Sequence, residues 1–431
     1  MLERQLLSSC GSDRATEYNN SSKIIRLADK LLIGWLDAAE GAVGPTRLRL
    51  GICSPCTGAL QNTLLLGEAF DNHCGPALAL DKDQRLHVML GAHHQPFRYL
   101  WTDDLARPQT QDYSSTHWSN PEVLGPEDTY PSLITDAAGT LHLLYRAGGE
   151  RWQLWYRRKR PGQGWEHPHV IAISPVAGYN NFFHSISVGP GGALHLLFQF
   201  HYSLPGDKLV PGRFAVYLHS DDGGETWLNE GKKCAFPLTP TSAECFRAYP
   251  EGGLRLSGGH VVDAQDRPWI HVTTPDQGGG ALLCRGSSGW KEIDISGTLG
   301  KFNLQDGHGR GISLSRSASG HIHLIVATNP DAQPAGWFDP RHELFHLVLT
   351  EEGKTVSFRQ LTETDPTTAN WLPALEKWDW TRPKECCVDD PWLIYTRGWN
   401  LGNAWGSCRN SLRTEVYLMH PTRHGVPTGP M

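Results

Sequence analysis

The sequence predicts an all-β fold: a seven-bladed β-propeller of four-stranded blades, one domain over residues 1–431. Three observations carry this expectation. A strand–turn–strand phrase recurs about every fifty residues. Composition supplies the turns, with 46 Gly and 29 Pro and only 19% charged residues. One hairpin reads S-x-D-x-G-x-T-W from Ser220 to Trp227.

The recurring phrase is an apolar strand, a polar turn with Asp or Gly, and a strand of the form Leu-His-hydrophobic. Copies begin at Lys23, Ala77, Ser132, Ser185, His260 and Ser313, with a degenerate seventh around Asp389. The matching histidines His87, His142, His195, His271 and His323 are separated by 55, 53, 76 and 52 residues, and Gly34 stands 53 before His87. The long fourth interval marks 202–253 as an insertion, and 329–388 reads as a second one. Residues 1–22 form an N-terminal extension or a ring-closing segment, with LRTEVYLMHP near the C-terminus as a strand for it to pair with. No long amphipathic helix is apparent, and Trp371–Trp378 has room for one helical turn. Because the repeat histidines lie mid-strand in every copy, they read as structural, bonded between blades or at strand edges. In the S-x-D-x-G-x-T-W hairpin, Asp222, Gly224 and Thr226 tighten the turn and Trp227 packs on the blade. That motif supports the fold and says little about function.

The formal charge of −6 and pI of about 6.4 give no reason to expect nucleic acid. An anionic ligand stays open, because net charge does not describe a single cleft. Ten cysteines in 431 residues are no disulfide framework, and Cys53-Ser-Pro-Cys56 lacks the second CxxC of a zinc site. No apolar run is long enough to span a membrane. The opening MLERQLLSSCGSD lacks the apolar core of a secretory signal, and too little apolar sequence precedes Cys10 for a lipoprotein box.

Chemistry gathers in Phe70–Trp101. Two apolar runs around the turn DKDQ form a hairpin, with His73 just before it and His93 just after. The two imidazoles then meet at one sheet edge, as an acid/base pair or simply as polar loop residues. Tyr130, in Thr-Tyr-Pro, and Arg146, sixteen residues on, converge by the same geometry in the next blade. Packing of Tyr130 and an acidic partner for Arg146 is the alternative reading.

These stretches, DNHCGPALALDKDQRLHVMLGAHHQPFRYLW and TYPSLITDAAGTLHLLYR, resemble the BNR-repeat propeller polysaccharide lyases. That group includes ulvan lyases and enzymes acting on rhamnosyl-α-1,4-glucuronate linkages. The resemblance is firm over Phe70–Arg146 and looser elsewhere. It implies His73, His93, Tyr130 and Arg146 as catalytic residues. Two departures stand out: Cys74 replaces the usual Asn, and His201 stands where relatives often carry an arginine.

By this resemblance the chain cleaves next to a uronic acid by β-elimination. Arg146 offsets the carboxylate charge, Tyr130 and His73 transfer the protons, and His93 helps hold the carboxylate. Arg146 would also lower the Tyr130 phenol pKa. Substrate contacts are expected from His94, Arg98, Tyr99, Tyr179, His184, His201 and Tyr202, with Trp101 and Trp152 as stacking surfaces. No cofactor is required and no catalytic metal is expected. A structural Ca²⁺ or Zn²⁺ is compatible with the group, and His260, His271 and Cys284 form a loose candidate cluster. The partner is an anionic polysaccharide, and the expected location is secreted or periplasmic. A hydrolase of the same group, a sialidase-like hydrolase or a non-catalytic carbohydrate-binding propeller are the alternatives. No Arg-Ile-Pro-like entry motif of sialidases appears near the N-terminus.

Overall fold

The computed structural model describes residues 4–39, 44–106, 113, 115–207, 211–302, 304, 311–331, 339–382, 389–400 and 412–422. It is nearly all β: among these residues helix is confined to a 3-10 turn, Asp104–Ala106, and one short α-helix, Ser296–Leu299. Trp371–Trp378 is not helical, since Ala369–Leu375 is a fully buried strand.

Among the described residues, six antiparallel sheets are hydrogen-bonded within themselves. The first runs Ile24–Arg26, Leu31–Asp37, Thr46–Cys53 and Leu60–Ala69. The second has seven strands from Ala77–Leu80 to His169–Ile173, with Glu122–Thr135 in its middle. The third holds His184–Val188, Leu194–His201 and Gly212–Ser220 with short outer strands, and the fourth centres on Pro268–Thr274 and Gln277–Gly286. The fifth runs Ile312–Arg316, His321–Thr328, Glu343–Thr350 and Thr355–Gln360. The sixth joins both ends of the chain: Arg4–Ser8 pairs with Leu412–Met419, beside Leu393–Asn400 and Ala369–Leu375.

The sheets pack face to face in chain order, and the ring closes on itself. Leu36, Leu48 and Leu50 of the first sheet meet Leu78, Val88 and Leu100 of the second. At the closure, Trp35 and Ile33 of the first sheet meet Ile394, Val416 and Leu418 of the sixth. Inner strands are therefore buried on both faces, which is why Leu141–Ala147 (LHLLYRA) reads as a continuous buried run. The outer strand Leu60–Ala69 alternates between exposed and half-buried positions instead. Each leucine fully buried in these interfaces stabilises the ring by ~1.5–3 kcal/mol.

The segments read from sequence as insertions each supply strands to the sheets. Within 202–253, Gly212–Ser220 pairs along its length with Leu194–His201, and within 329–388, Glu343–Thr350 and Thr355–Gln360 complete the fifth sheet. Part of each span, 208–210, 332–338 and 383–388, lies outside the described residues.

The repeat histidines are bonded mainly inside their own sheets. His87 sits between Asp81 Oδ2 (3.1 Å from Nε2) and the Tyr99 hydroxyl (2.7 Å from Nδ1), and His142 repeats this with Asp136 and Tyr156. Asp222 ties its hairpin by accepting from Thr226 N and Oγ1 at 2.8 and 2.6 Å, and Trp227 lies edge-on against Tyr156 of the preceding sheet.

Candidate active site

Strand Leu60–Ala69 ends just before Phe70, and a turn at Asp71–His73 leads to strand Ala77–Leu80. Beyond strand Leu86–Leu90 the chain crosses this turn so closely that a Cβ on Gly91 would lie 2.4 Å from the Gly75 carbonyl oxygen. That crossing lays His93, the first residue of strand His93–Thr102, on His73, with ring centroids 4.1 Å apart and planes 18° apart.

Register supplies the other two groups. Thr129 pairs with His93 on one side and Arg146 on the other. Tyr130 does not precede a strand as the sequence reading had it. It lies inside the 14-residue strand Glu122–Thr135, where the register with Leu141–Ala147 shifts, and its φ is 60°. A left-handed tyrosine at a bulge is a costly conformation that re-aims the side chain. His184 fixes it from below: its Nδ1 and Nε2 lie 2.6 Å from the Phe182 carbonyl and 2.8 Å from the Tyr130 carbonyl.

Asp71 organises the imidazoles. Its Oδ1 lies 3.2 Å from His73 Nδ1 and accepts from the His73 backbone N–H at 2.8 Å, and its Oδ2 lies 2.5 Å from His93 Nδ1. Burial alone would raise the Asp71 pKa, but the hydrogen bonds from His73 and His93 hold it well below the usual carboxylate range. An ionised carboxylate only accepts, so both rings donate to it from Nδ1. Burial pushes the His73 pKa down to about 3 against the pull of Asp71, with the Arg14 charge adding to burial, so this ring is a neutral base near pH 7. Cys74, in place of the usual Asn, donates its thiol to Asp71 Oδ1 at 3.7 Å, and burial pushes its pKa up to about 12.

Arg146 is 1% exposed. Its Cζ lies 4.4 Å from the Tyr130 and Trp152 ring centroids and 5.1 Å from that of Tyr179, and Nη1 donates to the Tyr179 hydroxyl at 3.0 Å. Nε and Nη2 are buried without a hydrogen-bond partner among the described residues, and no carboxylate there pairs with the charge. A buried cation held, among the described residues, by aromatic faces and one phenol can receive an anion.

The N-terminal segment completes the site. Residues 13–20 cross the middle of the ring: the Asp13 carbonyl accepts from Trp371 Nε1 at 2.7 Å, Thr16 Oγ1 donates to the Leu372 carbonyl at 2.6 Å, and Ser132 Oγ donates to the Asn20 carbonyl at 2.7 Å. This brings Tyr18 to 4.2 Å from the Tyr130 ring and 6.4 Å from His73, with Arg14 Nη1 donating to the Tyr18 hydroxyl at 2.7 Å. Burial opposes the Arg14 charge, but the phenols of Tyr18 and Tyr130 and the carboxylates of Asp13 and Glu17 raise its pKa.

The structure thus brings His73, His93, Tyr130 and Arg146 together. Tyr179 and His94 join them: His94 lies tilted against His93, with ring centroids 4.3 Å apart, and meets Trp152 edge-on. The remaining expected contacts fall elsewhere. Tyr99 is fully buried as the hydroxyl partner of His87, and Tyr202 is buried in the core between the second and third sheets. His201 is buried against Phe183 with Nδ1 3.1 Å from Gln199 Nε2, and His184 supports Tyr130 rather than facing outward. Arg98 is exposed and held on the Glu68 carbonyl, and Trp101 is covered by Arg85. Sequence reasoning passed over Asp71, although it stands two residues before His73. It also passed over Arg14 and Tyr18, for which no local pattern gives a signal.

The cluster His260, His271 and Cys284 does not assemble as metal ligands. His260 Nδ1 lies 2.6 Å from Ser185 Oγ, and His271 Nε2 meets the Gly279 carbonyl at 3.1 Å. Among the described residues, the groups with metal-ligand geometry are Asp71–His73–His93 and His195–His219–Asp266.

Fold and site together define a ring of antiparallel sheets with a buried His–His–Tyr–Arg centre at its middle. The profile of a BNR repeat-containing family matches residues 57–298, more than half of the chain, and the chain belongs to that family. It is 20% identical over 230 residues to an ulvan lyase of Alteromonas sp. (strain LOR), and 24% over 238 residues to a PL25 ulvan lyase of Pseudoalteromonas sp. (strain PLSV). Each match covers 48% of this chain and 47% of the relative, so the similarity spans about half the length of these curated relatives. Across 97% of this chain the fold follows a PL25 ulvan lyase bound to a GlcA(1-4)Rha3S chain, covering 96% of that structure at a TM-score of 0.67 and 14% identity. The polysaccharide lyase Uly1 follows at 0.59 over 97% of this chain and 99% of its own, also at 14% identity. The BP39L lectin of Burkholderia pseudomallei follows at 0.53, over 91% and 99%, at 11% identity.

Proposed function

We propose that this protein is a polysaccharide lyase that cleaves the bond to a uronic acid by β-elimination, on an ulvan-like or rhamnosyl-glucuronate glycan. The observation that carries the proposal is Arg146: a buried cation whose Nε and Nη2 have no hydrogen-bond partner among the described residues, beside two imidazoles and a phenol. Its Nε and Nη2 match a uronate carboxylate, and pairing with it makes the C5 proton more acidic. His73 Nε2 takes that proton, the electron pair forms the C4–C5 double bond as the C4–O4 bond breaks, and the Tyr130 phenol protonates the departing O4. With Tyr130 as phenolate instead, the same phenol takes the C5 proton and returns it to O4. His93, tied to Asp71, assists at the carboxylate. His94, Trp152 and Tyr179 form a wall against which a sugar ring can stack.

We further read the ring as a propeller of seven four-stranded blades. Supporting this, Glu122–Thr135 divides: its first half pairs with His93–Thr102 and its second half with Leu141–Ala147. A core of Met89, Phe97, Tyr99, Leu133 and Leu143 fills the angle between those halves. The polymeric substrate places the enzyme outside the cytoplasm, secreted or periplasmic. No described helix is long and apolar enough to cross a membrane.

The test is digestion of ulvan and, separately, gum arabic, followed by ultraviolet absorbance of the conjugated 4,5-unsaturated uronate that elimination creates. Rising absorbance with either glycan supports the reading and names the substrate class. Reducing ends released at constant absorbance would instead establish a hydrolase, and binding without cleavage a lectin-like propeller.

A further inference from the structure

The Asp–His–Tyr arrangement of His87 and His142 is altered at His195, and the change assembles a different set of donors. For His87 and His142 the carboxylate stands six residues upstream in the turn of the same sheet, as Asp81 and Asp136. Across the ladder stand Trp101 and Arg158. At His195 the upstream position is Gly189, and the residue across the ladder is His219. The carboxylate comes from the next sheet instead: Asp266 Oδ1 lies 3.2 Å from His195 Nε2. A Cβ on Gly189 would stand 1.8 Å from Asp266 Oδ1 and 2.8 Å from His195 Nε2, so the missing side chain admits the foreign carboxylate.

His219 Nε2 lies 4.0 Å from Asp266 Oδ2 and 3.4 Å from Asp221 Oδ1. The donor atoms of His195, His219 and Asp266 all fall within 4.8 Å of one another. Tetrahedral zinc with bonds of about 2.0–2.1 Å sets its ligand atoms roughly 3.4 Å apart, which small rotations of the His219 and Asp266 side chains reach from the present spacing. Tyr217 Oη, 2.9 Å from His195 Nδ1, occupies the place of the outer partner that orients a ligating imidazole. The group opens on a cavity of about 420 Å³ between the third and fourth sheets, lined by Tyr217, His219, Glu230, Asp266 and Arg285. The nearby cations are neutralised, Arg285 by Glu230 at 3.0 Å and Arg267 by Asp263 at 2.7 Å, so they do not repel a second positive charge.

We propose that His195, His219 and Asp266 bind one divalent transition-metal ion of the Zn²⁺ class, with Asp221 or water as the fourth ligand, and that the ion pins the third sheet to the fourth. Two imidazoles and a carboxylate suit this class of ion rather than Ca²⁺, which takes oxygen ligands. The site is separate from the Asp71–His73–His93 centre and takes no part in the elimination.

The test uses the full chain, stripped with a chelator and titrated with Co²⁺ and then Zn²⁺. The expected result is one equivalent of Co²⁺ with the intense visible bands of a tetrahedral ion, bleached by Zn²⁺, and a Tm several degrees higher with Zn²⁺ than without. His219→Ala should weaken Co²⁺ binding about 100-fold or more while keeping the metal-free Tm. His93→Ala should leave the bands in place. Absence of tetrahedral bands in the intact chain would overturn the proposal. So would bands that survive His219→Ala, or that vanish in His93→Ala, which would put the ion at Asp71. Lyase activity enters neither readout, so the two proposals fail independently.

Discussion

Two buried arginines show what separates a structural charge from a binding one. Arg26 donates from Nε and Nη2 to the two carboxylate oxygens of Glu376, each at 2.7 Å, joining the first sheet to the segment that follows Ala369–Leu375. Arg146 is at least as buried yet faces three aromatic rings and one phenol, with Nε and Nη2 unpartnered among the described residues. A desolvated charge costs several kcal/mol unless a counter-charge offsets it. For Arg26 the counter-charge is part of the fold. For Arg146, on the function proposed, it arrives with the uronate carboxylate of the ligand.

Substitution is the most direct way to break this comparison. Arg146→Ala should lower kcat/KM on the responsive glycan by about a thousand-fold, the scale of losing a donor to developing negative charge, with the urea midpoint unchanged. Arg26→Ala should do the reverse, costing ~3–5 kcal/mol of stability by stranding Glu376, with turnover retained in the folded fraction. Equal stability losses in both variants would show that Arg146 is simply another structural charge.

The histidines divide in the same way, and pH sharpens the division. Burial lowers the His73 pKa from 6.5 to about 3, so the native protein leaves this ring unprotonated where the unfolded chain protonates it. Its contribution is fully present above pH 6.5 and is lost as pH falls towards 3, by up to ~1.4 kcal/mol per pH unit. His184, also lowered to about 4 by burial, adds with the same sign, whereas Asp13, raised by burial to about 6, acts oppositely between 3.8 and 6. Urea unfolding from pH 7 to pH 4 should therefore show a shallower loss in His73→Ala than in the parent. Parallel slopes would mean that His73 is already protonated in the folded state.

His142 has both ring nitrogens occupied, by Asp136 and the Tyr156 hydroxyl, whereas His73 and His93 share one carboxylate through Nδ1. His142→Ala strands a carboxylate and a phenol and should cost ~1–3 kcal/mol in urea unfolding without lowering kcat. A large fall in kcat at unchanged stability would erase the distinction between repeat and site histidines.

Much of this was legible in the sequence, because it lay in local patterns. The repeat phrase carries its own turn chemistry, so the strand pairs around His87 and His142 follow from it, and the register of those hairpins brings His93, Tyr130 and Arg146 together. What stayed hidden depends on contacts across the ring. Arg14 and Tyr18 reach Tyr130 only because residues 13–20 cross the centre, and no spacing in a single chain encodes that path. Tyr99 and Tyr202 look like cleft aromatics in sequence because alternation along a strand marks two faces without saying which one meets the next sheet. For Tyr99 the repeat did hold the answer, since Tyr156 and Tyr217 stand at the matching positions beside His142 and His195.

The smallest expected effect tests whether the S-x-D-x-G-x-T-W hairpin is remote from the chemistry. Asp222 accepts from Thr226 N, Thr226 Oγ1 and Ser220 Oγ, all within an exposed turn where water can replace a lost partner. Asp222→Ala should therefore cost only ~1 kcal/mol. Trp227, which does the packing against Tyr156, keeps its place between the second and third sheets, so kcat and KM should both be unchanged. If KM rose while stability held, the hairpin would be reaching the glycan, and the binding surface would extend beyond the central cluster to the outer edge of the third sheet.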